Sequence, residues 1–410
     1  MKTVFNSYIN AFKGLSKEVW WLALITLINR AGTMVVPFLS LYLKEHLHFD
    51  MSHVGWIMSA FGLGSVVGSW LGGKLTDKIG YYKVMMYSLM ITGVLFIGLQ
   101  FLSTFPALCL GVFIVTLAGD SFRPAIFVAL NAYSKPENKI RSMTLIRLAI
   151  NLGFSAGPAL GGAIIVGLGY GGLFWVDGVT CIIASMVLLN VLNPKKAREL
   201  DSVKTENPVS AYSDKVFLAF LLAMMLFGLV FLQYFSTITI YYKDAHSLSE
   251  LQIGLLLGLN GFLIFIFEMP LIKWLESTKY TKLGLIFFGA VLTGLSLLIL
   301  NFTAWSGVLI LGMLLMTFGE MIAFPFSNAF VTERAKKGNQ GEYMALYAVS
   351  FSVAHIFGHN GGLQMTNHLG FDTTWYIFAV IASLCALLLF SLNERLKQTK
   401  KLKFWQNKIS

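Results

Sequence analysis

Arg30, Asp120, Arg123, Glu268 and Glu320 each stand within a long apolar run. An ionisable side chain at bilayer depth costs about 2.5–3.5 kcal/mol on insertion scales, so each is first a functional candidate. Asp120 and Arg123 are three apart and share a helix face, which suits either an intrahelical pair or a proton- or substrate-linked switch on a cavity wall. Glu320, in MTFGEMIAFPF, has no charged neighbour in sequence and needs a partner across the bundle. Arg30 is the expected one. A carboxylate whose surroundings alternate between apolar and aqueous can take up and release a proton, so Glu320, Asp120 and Glu268 are the proton-coupling candidates. Glu268, just before Met269 and Pro270, also fits a carboxylate reaching out to the interface.

Asn29, Gln233, Asn260 and Asn328 are isolated amides in apolar helices. An amide in lipid without a partner is unfavourable, so these point inward. With Arg30, Arg123 and His355 they form the candidate lining of a substrate cavity. His355 and His359 are four apart, but no third ligand stands near them, so polar lining or packing is expected rather than a metal site. Arg147 and Asp177 read as interfacial anchors. Cys109, Cys181 and Cys385 all fall in apolar helices, which suggests neither a disulfide framework nor a metal. No cofactor is expected.

These groups must be positioned by membrane-spanning helices. Hydrophobic residues make up 56% of the 410 and charged residues 12%, against about 25% charge in a soluble domain. Apolar runs of roughly 18 residues or more can each cross a core of about 30 Å. Twelve are expected, centred near Ile28, Leu63, Thr92, Thr116, Gly153, Ile182, Leu226, Phe262, Leu292, Leu315, His355 and Ala382. They fill the chain and leave no room for a soluble domain. The run from Val19 is the first helix and not a cleavable signal. The net charge of +11 is not a nucleic-acid footprint, because the basic residues cluster in alternate connections. These are the N-terminal tail (Lys2, Lys13, Lys17), the second connection (Lys74, Lys78, Lys83), the fourth, the polar linker 193–215 (Lys195, Lys196, Arg198, Lys204, Lys215), the eighth, the tenth (Arg334, Lys336, Lys337) and the C-terminal tail. Only Lys44 and Lys243 fall on the other side. The positive-inside rule then places both termini in the cytoplasm, which requires an even number of spans. The basic tail suits anionic lipid headgroups.

The chain also repeats itself. Gly55, Gly62, Asp77 and Lys83 meet Gly254, Gly261, Glu276 and Lys282 at an offset of 199. Gly111, Thr116, Pro124, Met143 and Gly157 meet Gly312, Thr317, Pro325, Met344 and Gly358 at 201. The expected fold is an all-α polytopic membrane protein of twelve transmembrane helices in two six-helix pseudo-repeats. The halves are 1–192 and 216–410, joined by the linker, with a substrate site between them.

Two motifs carry a resemblance over essentially the whole chain. GGKLTDKIGYYK (72–83), with Gly73, Asp77, Gly80 and Lys83, resembles the loop signature of the major facilitator superfamily. GFSAGPALGG (153–162) is similar, at Gly153, Gly157, Pro158, Gly161 and Gly162, to the fifth-helix signature of its twelve-helix drug–proton antiporters. The resemblance implies that Asp77 latches the two halves in the outward-open state. One departure stands out: the fourth-helix arginine of proton antiporters is replaced by Val115, four residues before Gly119. The chain reads as a secondary active transporter, a monomer whose partners are a small molecule, protons and lipid. Two directions stay open: proton-coupled export of an amphipathic organic compound, or proton-driven uptake of a small peptide or organic acid bound through Arg30 and Arg123. No Ser/His/Asp or metal constellation points to an enzyme, and buried titratable groups suit gating better than an open pore. Placement in the cell membrane with both tails inside is checked by protease mapping of epitope tags in right-side-out vesicles: both tags should stay protected until the membrane is permeabilised.

Overall fold

The computed structural model describes residues 14–31, 34–135, 138–193, 210–302, 305–335 and 340–409. Most of the expected linker, with Lys195, Lys196, Arg198 and Lys204, lies outside the described residues, as do Lys2, Lys13, Lys336 and Lys337. Among the described residues every regular element is helical. Ten helices are long and apolar enough to cross a membrane, and two of these, Arg141–Val191 and Glu342–Gln398, run to 51 and 57 residues. About 20 residues suffice for one crossing, so each must supply two. Each is broken at a glycine, Gly169 (φ 71°, ψ 179°) or Gly370 (φ 77°, ψ 172°), a conformation that a β-carbon opposes. Counting both sides of each break gives the twelve expected spans.

They are α1 (Lys17–His46), α2 (Met51–Ile79), α3 (Tyr81–Leu99), α4 (Phe105–Leu130), α5 (141–168), α6 (170–191), α7 (Lys215–Asp244), α8 (Glu250–Glu276), α9 (Lys282–Asn301), α10 (Gly307–Ala335), α11 (342–369) and α12 (371–398). Asp50, Asp214 and Thr281 cap α2, α7 and α9, accepting the backbone N–H of His53 (2.8 Å), Phe217 (3.1 Å) and Gly284 (3.1 Å), as short polar side chains at helix starts do.

The backbone repeats with the sequence. Gly169 and Gly370 are 201 apart. His48 (φ 57°) and Ser247 (φ 52°), 199 apart, are the non-glycine residues with positive φ among the described residues. The first helix of each repeat is also discontinuous. Within α1 a helix starts anew at Val35, with Met34 as its N-cap. In α7 regular helix ends at Phe231, passes through a 3-10 turn (Leu232–Phe235) and Ser236, and resumes at Thr237.

The chain forms two compact units, Met1–Asp201 with Tyr242–Phe265, and Ser202–Tyr241 with Ile266–Ser410. In the first, Gly64, Gly68 and Gly72 of α2 lie on the backbone of α4 at Phe113, Leu117 and Ser121. The N-terminal half of α8 packs on α5: a β-carbon at Gly254 would collide with the Pro158 carbonyl, and one at Gly261 would lie 2.5 Å from the Ser155 amide nitrogen. Ser155 Oγ donates to the Gly258 carbonyl at 2.9 Å. Helices in lipid gain little from apolar burial, so small residues that admit close backbone contact supply the attraction. In the second unit Phe217, Phe220 and Phe227 are buried. Arg334 donates twice to Asp214, each at 2.6 Å, and Tyr343 adds a third bond at 3.1 Å. Burial opposes the charge on Asp214, but Arg334 and the Phe217 amide outweigh it and hold the carboxyl below its usual range.

The loop expected at 72–83 is a helix end instead. α2 continues to Ile79, Gly80 alone (φ 86°) turns the chain, and α3 begins at Tyr81. Asp77 therefore sits on the last turn of α2 and not in a loop. Gly73 faces open space, whereas its neighbour Gly72 meets Ser121. Gly261→Ala should thus lower the thermal midpoint of the purified protein, by an overpacking cost of about 1–3 kcal/mol, while Gly73→Ala leaves it unchanged. Equal midpoints in a tryptophan-fluorescence melt would refute the packing assignment.

Candidate functional site

In the first unit α5 seats the inner part of α1. A β-carbon at Gly153 would collide with Cβ of Arg30, one at Gly157 would lie 3.3 Å from the Ala31 carbonyl oxygen, and one at Gly161 would lie 3.1 Å from Met34 Cβ. The Arg30 side chain passes over Gly153, and its guanidinium lies 5.5 Å from the centre of the Phe154 ring, a cation–π arrangement. Gly162 and Pro158 face α8 instead. The signature glycines and proline of α5 thus hold Arg30 in place on one side and α8 on the other.

Arg30 is within electrostatic reach of both Asp120 and Arg123. Because the glycines of α2 let it lie close to α4, Ser65 reaches Asp120 and donates its hydroxyl to Oδ2. Arg123 stands 3.9 Å from the other carboxylate oxygen and is 55% exposed, against 18% for Asp120. The sequence-predicted Arg30, Asp120 and Arg123 therefore converge on one polar cluster, to which Ser65 is an addition that sequence spacing alone did not reveal. Asn29 is buried nearby, with its Nδ2 3.8 Å from Cys181 Sγ. Asn260, in the N-terminal half of α8, is half-buried in the same unit.

Asp177 is not an interfacial anchor. It is fully buried, and its two carboxylate oxygens accept the backbone N–H groups of Met34 (3.0 Å) and Val35 (2.8 Å), the first amides after the break in α1. The break removes the intrahelical acceptors of those amides, so a side chain from α6 replaces them. The signal was present as a lone acid in FWVDGV, but no sequence offset links it to the amides it serves.

The second unit is polar at the break in α7. Gln233 is buried with its amide spent on packing: Nε2 donates to the Leu229 and Gly358 carbonyls (2.7 and 2.9 Å), and Oε1 accepts from Thr237 (2.7 Å). It clamps α7 to α11, a role that the cavity reading did not foresee. His359 Nδ1 lies 3.0 Å from Ser236 Oγ, and the His355 and His359 rings are 5.6 Å apart. Glu268 is 6% exposed, so its carboxylate does not reach out to an interface. Glu320 is half-buried on α10, and Asn328 is exposed, donating to the Phe324 carbonyl at 3.0 Å. Arg30 and Glu320 belong to different units.

Lys44 and Lys243, the two lysines set apart by sequence, are both paired with acids in the first unit. Lys44 binds Asp244 and approaches Glu45 at 3.5 Å. Lys243 binds Glu250 at 2.8 Å, and the Tyr170 hydroxyl joins that carboxylate at 3.3 Å. Asp77 and Lys83, by contrast, are exposed, and Asp77 makes no hydrogen bond or ion pair among the described residues.

The comparisons with known proteins agree with this architecture. The family model described as Major Facilitator Superfamily matches residues 22–359. The chain is similar to a Na(+), Li(+), K(+)/H(+) antiporter of Planococcus maritimus, 24% identical over 90% of this chain and 94% of that protein. It is also similar to the quinolone resistance protein NorA of Staphylococcus aureus, 25% identical over 67% of this chain and 74% of the relative. Among solved structures, a POT family transporter in complex with 5-aminolevulinic acid overlays with a TM-score of 0.79 at 15% identity, covering 94% of this chain and 97% of that one; at that identity the likeness concerns the fold. With twelve spans on a doubled plan and a family match across most of its length, the chain belongs to the Major Facilitator Superfamily and is a multi-pass membrane transporter.

Proposed function

We propose that this transporter exchanges protons for an amphipathic organic compound, moving the compound out of the cell by alternating access. The observation that carries the reading is the cluster around Asp120. A carboxylate held by Ser65 and set among Arg30 and Arg123 can exchange its ion partners for a proton as its surroundings change;. The α5 signature and the resemblance to a quinolone resistance protein support export. Glu320 and Glu268 supply further carboxylates in the second unit, and pairing of Glu320 with Arg30 belongs to the proposal. Asn29, Asn260 and His355 are proposed to line the cavity, and Asp77 to act as a conformational latch in a state other than the one described.

A second reading is favoured by one specific observation: the Planococcus relative, matched over nearly its full length, bears the name of a monovalent cation/proton antiporter. On that reading the cargo is a small cation, and the same carboxylates bind it in alternation with protons.

The test is proteoliposomes with an imposed pH gradient, followed by an internal pH dye, with a fluoroquinolone, Na⁺ or K⁺ added in turn. Export of an organic compound requires the fluoroquinolone to collapse the gradient; collapse by Na⁺ or K⁺ alone would favour the second reading. Asp120→Asn and Glu320→Gln should each reduce gradient-driven flux by about 5- to 150-fold, the range of a typical coupling free energy. Unchanged flux in both variants would remove these two carboxylates from the coupling.

A further inference from the structure

We infer that Asp177 is a proton-binding site separate from the Asp120 cluster, and that its charge decides whether α1 beyond its break stays docked on α6. The geometry is specific. Oδ1 and Oδ2 each take one backbone N–H, from Met34 and Val35, so neither oxygen is idle. The side chain is fully buried, and no lysine or arginine is paired with it among the described residues. The docked carboxylate is thus held by two amides at the start of the helix Val35–Leu41, where intrahelical acceptors are lacking;. A proton on either oxygen weakens that oxygen as an acceptor and leaves a buried N–H poorly served, which costs far more in apolar surroundings than in water. Conversely, if Val35–Leu41 swings away, the carboxylate loses the Met34 and Val35 donors and must neutralise rather than remain an isolated buried charge;. Proton binding and undocking are therefore linked.

The neighbours leave Asp177 as the group that responds. From α1, Arg30 and Asn29 lie toward Cys181 and not on the carboxylate, and Tyr42 packs edge-on to Phe174, one turn away on α6, with centroids 4.9 Å apart. On α6 itself, Cys181 is one turn further on, and Thr180 donates to the Asp177 carbonyl and not to its side chain (3.1 Å). α3 meets α6 through Gly93 and Ile97 at Gly178, and its Tyr87 is turned out, 50% exposed. From α5, Gly161 meets Met34 and Leu173 and carries no titratable group.

The test needs no cargo, so it stands apart from the export reading. Full-length protein in lipid nanodiscs is followed by amide hydrogen exchange over peptides covering Met34–Leu43 as pH is lowered, corrected for intrinsic exchange. In the native protein, exchange of this segment should rise by about tenfold for each pH unit below the transition. A new carboxylic-acid C=O band should appear in the infrared difference spectrum over the same range. D177N should lose both the band and the pH dependence, while D120N keeps them. Native exchange that does not change with pH, or D177N exchange that still does, would overturn the inference. Should D177N fail to fold, D177E keeps a carboxylate on a longer stem: a displaced transition supports the assignment and an unmoved one refutes it.

Discussion

No water reaches the hydrocarbon core, so every backbone N–H and C=O there must be satisfied by the protein itself. This chain complies by being helical, and the interest lies where it stops being so. α1 and α7 are both interrupted, and each interruption is served by side chains. Asp177 supplies the acceptors at Met34 and Val35. At the other break Gln233 donates to the Leu229 carbonyl at 2.7 Å, and Thr239 donates to the Ser236 carbonyl at 2.8 Å. The buried polar residues that hydropathy alone flags as anomalies are therefore partly repairs to the backbone. Asp120 with Arg30 and Arg123 forms a polar cluster apart from these repairs.

The same solvent explains the glycines. With lipid as apolar as leucine, helices adhere by close contact and not by burial, and the close contacts fall where function needs precision. Gly64, Gly68 and Gly72 bring Ser65 to Asp120, while Gly153 makes room for Arg30. The α5 signature resembled in the antiporters is in this light a positioning device. It carries no chemistry of its own, but it fixes the depth and direction of a guanidinium.

The fold was largely legible in the sequence, because span length, basic-loop alternation and an internal repeat are long-range signals that no single residue can spoil. The offsets of 199 and 201 reappear in backbone angles at His48 and Ser247 and at Gly169 and Gly370. The site was legible only in part. Asp120 and Arg123 lie together as their spacing suggests, whereas Arg30, expected to face Glu320, lies within reach of that pair. Asp77 was misplaced because a glycine-rich charged stretch reads as a loop, yet Gly72 serves packing and Gly80 alone makes the turn. Asp177 was misread because its partners are amides freed by a break in another helix, and a backbone donor leaves no mark in sequence. Gln233 was taken for lining because an amide's partners, here carbonyls on α7 and α11, are equally invisible.

The repeat also shows where the halves part company. Both keep the interrupted first helix, but the position 201 residues after Asp177 is Phe378, 2% exposed. Around the second break the polar groups are an amide, hydroxyls and an imidazole: Gln233, Ser236, Thr237 and His359. That network holds its geometry without a carboxylate, whereas the first break is served by an acid with no lysine or arginine paired to it among the described residues. The two halves of one plan thus differ at the break, a carboxylate serving it in the first and amide and hydroxyl groups in the second. If Asp177 takes up a proton as inferred, the asymmetry would let that proton address one broken helix while the other keeps its shape.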